Sequence, residues 1–358
     1  MPKKPEDIIR DEIRAMSGYR VPDSRGMVKL DAMENPFRLP PQLQAEAARL
    51  VETAVFNRYP DSGAVQLKAR LREVMDVPPG MDILVGNGSD ELIQSLMLAV
   101  ARPEATVLGL EPSFVMFRLI AAFCGVRFIG VPLDSDFTLD AERVLRAIAE
   151  HQPALIFIAF PNNPTGNLFD RDGIARIIRA APGVVVLDEA YHAFAGHTFM
   201  PRLTDFPNLV VMRTLSKLGL AGLRLGVLAG ARAWLQHVDK VRLPYNVNVL
   251  TQLIAEKVLQ HQDLLMEQAA RIKAERARLS DELSHIPGAR PFPSEANFIL
   301  FRIPGASEVF AGLKQRGILI RNLHGSDPAL EQCLRVTVGT PGENSKFLDA
   351  LKDTVSTA

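Results

Sequence analysis

Between residues 83 and 229 the chain repeats one unit: a short run of apolar residues, then a stretch with apolar residues at helical spacing. The apolar runs fall at 83–85, 106–110, 127–131, 154–160, 184–187, 209–212 and 223–229. Of the intervening stretches, 90–101 places Ile93, Leu96, Met97 and Val100 on one stripe, and 141–150 reads as a second helix. Strands that are apolar throughout leave no face for water, so the pattern predicts an α/β fold whose mostly parallel sheet is covered by helices on both faces. Ligands of such sheets bind beyond the carboxyl ends of the strands.

The flanks differ in character. Residues 1–45 are proline-rich and irregular, too poor in periodic apolar positions for a core of their own, and are expected to lie as an arm across other elements. A helix over 42–56 follows, carrying Leu43, Ala47, Leu50 and Ala54, and stops before the turn Asn57-Arg58-Tyr59-Pro60-Asp61. After Pro244 a long charged helical tract, 249–285, leads to strands at 297–303, 318–321 and 333–338, a helix at 307–316 and a terminal helix after Gly342. The expected organisation is therefore an arm (1–45), a large domain (46–245) and a smaller α+β domain (246–358) that includes the connecting helix.

Charge narrows the function classes. Forty-one basic and forty-one acidic residues cancel, so nothing in the balance favours nucleic acid or a membrane surface as partner, and specificity must be local. No apolar stretch approaches the ~18 residues that span a bilayer, and the charged N-terminal residues are not followed by an apolar leader segment. Cys124 and Cys333, the only two cysteines, each sit in an apolar segment, which suits reduced thiols and a cytoplasmic setting.

Four strand ends carry chemistry. After 209–212 comes Thr214-Leu215-Ser216-Lys217, then a small-residue run ending in Arg224. Two hydroxyls, a guanidinium and flexible glycines suit a phosphate, while a lysine amine desolvated beside cations has the lowered pKa needed to attack a carbonyl. From the tetrapeptide alone, a solvated surface lysine is the commoner reading of Lys217. Gly86-Asn87-Gly88-Ser89-Asp90-Glu91 joins a strand to a helix whose unpaired N–H groups form a phosphate cradle, or else a plain turn with Ser89 as N-cap. Asp188-Glu189-Ala190-Tyr191 ends the run 184–187 with a carboxylate that must meet a buried cation, such as a protonated pyridine, or cap a loop. Pro161-Asn162-Asn163-Pro164-Thr165-Gly166 is a proline-fixed turn that projects an amide. Their joint occurrence, in this order, is far more specific than any one of them.

These residues, together with Asn35-Pro36, Arg58-Tyr59-Pro60, Pro112-Ser113-Phe114 and Leu334-Arg335-Val336-Thr337-Val338-Gly339, resemble over essentially the whole chain a fold-type-I pyridoxal-phosphate aminotransferase of the histidinol-phosphate aminotransferase branch. The resemblance implies the three-layer aminotransferase fold, pyridoxal 5'-phosphate as cofactor, no metal, and a homodimer with shared active sites. It makes Lys217 the covalent anchor and proton carrier and Asp188 the partner of the pyridine nitrogen, and it sets Asn163 and Tyr191 at the ring hydroxyl, with Phe114 stacked on the ring. Ser89, Asp90, Thr214, Ser216 and Arg224 would surround the phosphate, with Glu91 counted among the cofactor-binding residues and Tyr59 reaching the phosphate from the neighbouring subunit. Arg335 and Arg321, with Tyr19 and Asn35 nearby, would take the anionic ends of histidinol phosphate and of 2-oxoglutarate or glutamate, as a step of histidine biosynthesis. Two departures stand out: many relatives have a tyrosine at Phe114, and the interval from Lys217 to Arg224 is one residue shorter than in many of them. An aromatic amino-acid aminotransferase, a phosphothreonine decarboxylase of the same fold and a cofactor-free binding protein remain as alternatives.

Overall fold

The computed structural model describes residues 2–18 and 21–356, so Tyr19 lies outside the described residues. The arm contains a short helix α1 (Asp11–Arg14) and a two-residue strand β1 (Val28–Lys29), followed by helices α2 (Pro41–Thr53) and α3 (Val65–Val74). Helix α3 has no counterpart in the sequence reading. Its buried face is only Leu67 and Leu71, too narrow a stripe to register as periodicity, and the Asp61 carboxylate fixes its start by accepting from the Gly63 and Val65 N–H groups.

The central sheet has seven strands: β2 (Met81–Gly86), β3 (Thr106–Glu111), β4 (Arg127–Pro132), β5 (Leu155–Ala159), β6 (Val184–Asp188), β7 (Leu209–Thr214) and β8 (Gly226–Ala231). Their spatial order is β2-β8-β7-β6-β5-β3-β4, and β8 alone runs antiparallel to its neighbours. The last strand starts three residues later than expected because Ala221–Leu223 form a 3-10 turn and Arg224 takes a left-handed conformation, φ 52°.

The two-residue period of each strand sorts its side chains into two layers. Val184, Val186, Val210 and Met212 meet helices α4 (Ser89–Val100), α5 (Met116–Cys124) and α8 (Arg232–Val238) on one face. Val185, Leu187, Leu209 and Val211 face the other way, toward α6 (Ala141–His151), α7 (Arg171–Ala180) and the later helices. Both faces are covered, as the uninterrupted apolar runs require.

The long tract after Pro244 is two helices, α9 (Val249–Leu259) and α10 (Gln262–Ser284), broken at Gln260-His261. A second, antiparallel sheet follows, in the order β12 (Arg321–Asn322), β13 (Cys333–Thr337), β10 (Phe298–Arg302), β9 (Arg290–Pro291), flanked by α11 (Ala306–Gln315) and α12 (Pro341–Ser356). The expected strand 318–321 divides: β11 (Ile318–Leu319) pairs in parallel with β1 of the arm, whereas Arg321 pairs with β13. One contiguous apolar cluster runs from the central sheet through α10 to β10 and β13. Among the described residues no helix is long and apolar enough to cross a membrane, and both cysteines are free thiols.

Gly226, at the start of β8, shows how closely the glycine turn after β2 rests on the sheet. A Cβ there would lie 2.6 Å from the Gly88 carbonyl carbon and 2.7 Å from the Ser89 nitrogen, backbone atoms that cannot step aside. Gly226→Ala is expected to destabilise the protein by about 1–3 kcal/mol, read as a lower urea midpoint at unchanged slope; an unchanged midpoint would show that the turn is free to move.

Candidate active site

From β3 the chain passes outward to β4, while β5 lies on the other side of β3, so the connections diverge between β3 and β5 and open a crevice at their carboxyl ends. Because β8 runs antiparallel, its start lies at that same edge, beside the ends of β2 and β7. Here the structure has a cavity of about 260 Å³, into which four loops deliver side chains from distant parts of the sequence. Asn162, buried beside the crevice, ties two of these loops together. Its amide donates to the Pro112 carbonyl (3.0 Å) and to the Thr165 hydroxyl (2.7 Å), and its oxygen accepts from Ser113 (2.7 Å). That bridge sets Phe114, on the cavity wall, against Asn163.

Asp188 ends β6 with its carboxylate buried and facing the cavity, where Oδ1 accepts from the Ala190 N–H at 3.0 Å. Burial raises its pKa to about 7. Asn163 Nδ2 donates to the Tyr191 hydroxyl at 3.2 Å, while the Asn163 oxygen accepts from Arg335, which also donates to the Asp31 carbonyl at 3.0 Å. Arg335 is therefore no surface residue; it is buried against the amide it orients.

Lys217 follows β7 in a 3-10 turn, and its Nζ points into the cavity, 6.0 Å from the centre of the Tyr191 ring and 3.3 Å from the Ala32 carbonyl to which it donates. Burial, and after it the positive charge of Arg335, lowers its pKa to about 8. An amine that sheds its proton this near neutrality is a usable nucleophile and base.

At the other end the Thr214 hydroxyl accepts from the Ser216 N–H (3.2 Å) and lies 3.0 Å from the Ser216 hydroxyl. Ser89 stands in the first turn of α4, not at its N-cap, which is Gly88 at φ 89°. A Cβ on Gly88 would be 2.6 Å from the Arg224 guanidinium, so the glycine admits Arg224 to the cavity wall, where it lies 3.9 Å from Asp90. Hydroxyls, the N–H groups of a helix start and a guanidinium thus converge on one corner, a donor set made for a phosphate.

Other expected residues lie elsewhere. Glu91 turns away from the cavity and accepts from the Asn87 N–H and from Asn246 Nδ2 (2.8 Å), so it braces the glycine turn. Asn35 is committed to Gln268 of α10 (3.0 Å) and to the Phe37 N–H (2.8 Å), outside the cavity lining. Arg321 pairs in register with Arg335 on the next strand and is half-buried, also outside the lining. Tyr59 is 80% exposed and stacks on Tyr245, ring centres 4.3 Å apart, with no contact to its own chain's cavity. Sequence reasoning missed the arm as a cavity wall: Ala32, Met33 and Glu34 line it. It also missed Glu189, whose carboxylate, wholly buried, accepts from Arg213 Nε (3.0 Å) and Nη2 (2.9 Å), Thr198 and the Phe199 N–H. A charged residue directly after the apolar run 209–212, and before the Thr214 hydroxyl, was the available signal for Arg213.

Fold and site together define an aminotransferase of classes I and II, whose family model matches residues 25–351. The chain is 56% identical over 351 residues to histidinol-phosphate aminotransferase 2 of Cupriavidus pinatubonensis (96% of each chain) and 55% identical over 349 residues to histidinol-phosphate aminotransferase 1 of Ralstonia nicotianae (96% of this chain, 93% of that one). Among solved structures, the histidinol-phosphate aminotransferase of Sinorhizobium meliloti in complex with pyridoxal-5'-phosphate superposes with a TM-score of 0.88, covering 98% of each chain at 25% identity. The chain therefore belongs to the histidinol-phosphate aminotransferase branch of this family.

The residues present fit pyridoxal 5'-phosphate. A buried carboxylate faces the cavity with no cationic side chain in hydrogen-bonding contact, an amide and a phenol sit beside it, the phosphate corner lies across from them, and the lysine stands between. Without the ring, Asp188 carries a cost. Its pKa is raised in the fold, so its stabilising contribution is complete below the unfolded value near 4 and is lost as pH rises through about 7. Asp188→Asn removes the charge, so the cofactor-free variant should be more stable than the cofactor-free parent at pH 8, by up to roughly 4 kcal/mol, and equal to it near pH 4. Equal urea midpoints at pH 8 would show that the carboxylate is already compensated.

Proposed function

We propose that the chain catalyses pyridoxal-phosphate-dependent transfer of the amino group of histidinol phosphate to 2-oxoglutarate, giving imidazole acetol phosphate and glutamate. The reading rests most on Lys217: a buried amine with pKa lowered to about 8, in a cavity that joins a carboxylate to a phosphate corner. When bound, the cofactor supplies an electron-withdrawing ring that stabilises negative charge at the substrate carbon. Asp188 keeps the ring nitrogen protonated. Asn163 and Tyr191 hold the ring hydroxyl, and Phe114 covers a ring face. Ser89, Asp90, Thr214, Ser216 and Arg224 would hold the phosphate and so position the cofactor. Lys217 would hold the cofactor's aldehyde carbon and serve as the base that moves the proton at the substrate carbon.

Arg335, with Arg321 beside it in register, takes the substrate's anionic group, and Tyr19 belongs to the same recognition set. In this reading residues 46–245 form the cofactor-binding domain, 246–358 the small domain, and the enzyme works in the cytoplasm. It acts as a homodimer. Tyr59 and Tyr245 are stacked at the surface, with Phe56 and Leu243, their close neighbours in sequence, also exposed, apolar groups that a second copy would cover. From there Tyr59 reaches the phosphate of the partner's cofactor.

The direct test is turnover of histidinol phosphate against phenylalanine with 2-oxoglutarate as acceptor; a preference for phenylalanine would reassign the substrate. Lys217→Ala should still bind cofactor but lose at least about 10²- to 10⁴-fold in transamination, and appreciable single-turnover activity without added amines would remove Lys217 from its role. Tyr59→Phe should weaken cofactor affinity about 10- to 150-fold. Mixing it with Lys217→Ala subunits at limiting cofactor should raise activity above either parent, because the intact lysine then receives an intact Tyr59. No gain despite proven subunit exchange would confine Tyr59 to its own chain.

A further inference from the structure

The cofactor-facing groups account for the floor and one end of the cavity, but not for the wall built by the arm. Of the acids in the lining, Asp188 faces the ring site and Asp90 lies beside Arg224. Glu34 is the remaining one. It is half-exposed, and its partner is Lys29, whose Nζ also lies 3.5 Å from the buried Asp31 carboxylate. Two carboxylates therefore share one ammonium, and of the three groups only Glu34 faces the cavity. The Glu34 carboxylate is felt at the Lys217 amine, where it opposes the effect of burial.

Glu34 is also held in place. Met33 takes a left-handed conformation, φ 52°, which a non-glycine residue adopts at a cost and keeps only where its surroundings enforce it. Here the Met33 N–H donates to the Thr337 hydroxyl (2.9 Å) and its carbonyl accepts from Asn297 Nδ2 (2.9 Å), while Arg335 holds the Asp31 carbonyl and the Thr337 N–H donates to the Leu30 carbonyl (2.9 Å). An arm backbone fixed this way sets Glu34 on the wall, and with cationic Arg224 elsewhere in the lining and Arg335 behind the lining residue Asn163 the cavity is dipolar. Such a cavity suits a donor that is anionic at one end and has an N–H group or a positive charge at the other.

We propose that Glu34 is a specificity-determining residue: its carboxylate accepts a hydrogen bond from the ring N–H of an azole-bearing amine donor and so selects that donor over one with a plain phenyl ring. The inference rests on the transamination reading above. Rejection works through the Glu34 oxygen that Lys29 does not bond: Lys29 takes Oε2, and a phenyl ring would cover Oε1 without offering it a donor. The same carboxylate gives nothing to 2-oxoglutarate, which is acidic at both ends and has no N–H, so the two half-reactions should depend on Glu34 differently.

The test follows each half-reaction alone, in single turnovers of the cofactor-loaded enzyme, for the parent, Glu34→Gln and Glu34→Ala. Both variants should lose about 10- to 100-fold in kcat/KM for histidinol phosphate, with phenylalanine changed little and the return half-reaction with 2-oxoglutarate undiminished. An equal loss in both half-reactions would make Glu34 a structural brace of the arm and overturn the proposal, as would unchanged discrimination between histidinol phosphate and phenylalanine. A parent that prefers phenylalanine would overturn the substrate reading itself; a parent that prefers histidinol phosphate beside variants that keep this preference would overturn only the role of Glu34.

Discussion

The site depends on a buried ion pair that never touches the cavity. Glu189 is the first residue beyond β6 and Arg213 the penultimate residue of β7, and their contact, reinforced by the bond from the Glu189 N–H to the Met212 carbonyl (2.8 Å), locks the carboxyl ends of two neighbouring strands together. Asp188 immediately precedes Glu189, and Lys217 lies one short turn after Arg213. The pair thus sets how far apart the two reacting groups stand. Removing one partner from such a pair costs about 3–5 kcal/mol, because the other charge is left buried alone. Its value here is geometric more than energetic: the charged groups that must stay unpaired for chemistry are held by charged groups that are fully paired.

The cavity is closed by a segment far from the strands in sequence. Arm residues 30–34 are clamped almost wholly by the second sheet, through Thr337, Asn297 and Arg335, while the Ala32 carbonyl accepts from Lys217 and Asn35 reaches α10. Arg335 belongs to both structures, since one arm of its guanidinium holds Asp31 and the other orients Asn163 beside Tyr191. The second sheet and the Asn163–Tyr191 pair on the cavity wall are therefore joined through one side chain.

The sheet was legible because its cause is local. Residues 184–187 and 209–212 are apolar at every position, which only a doubly covered strand permits, and the residue after each run falls at the ligand-binding edge by topology alone. Lys217, Asp188 and Asn163 were legible for that reason, and Phe114 through the family resemblance. The antiparallel sense of β8 was not, because a buried strand reads the same in either direction. Glu91 was misjudged because a carboxylate in the first turn of a helix suits both a ligand site and a brace, and the deciding partner, Asn246, is 155 residues away. Glu34 and the other arm contacts escaped because irregular chain has no periodicity, and its position comes entirely from bonds to residues near 297 and 337.

Burial acts on the two central groups in opposite senses, and this connects stability to function. It raises the Asp188 carboxyl to about 7 and lowers the Lys217 amine to about 8, so the same loss of water makes the acid a weaker acid and the ammonium a stronger one. The forms that the proposed function needs, an anionic Asp188 and a neutral Lys217, are the pair favoured above about pH 8, whereas below about pH 7 an isolated cavity holds both groups protonated. A ligand that brings its own cation to Asp188 and takes the amine of Lys217 into a covalent bond relieves both penalties together. By linkage, whatever binds the folded chain in this way also stabilises it. The strain in the cavity is thus a reserve of binding free energy for the cofactor, held in place by Glu189, Arg213 and the clamped arm.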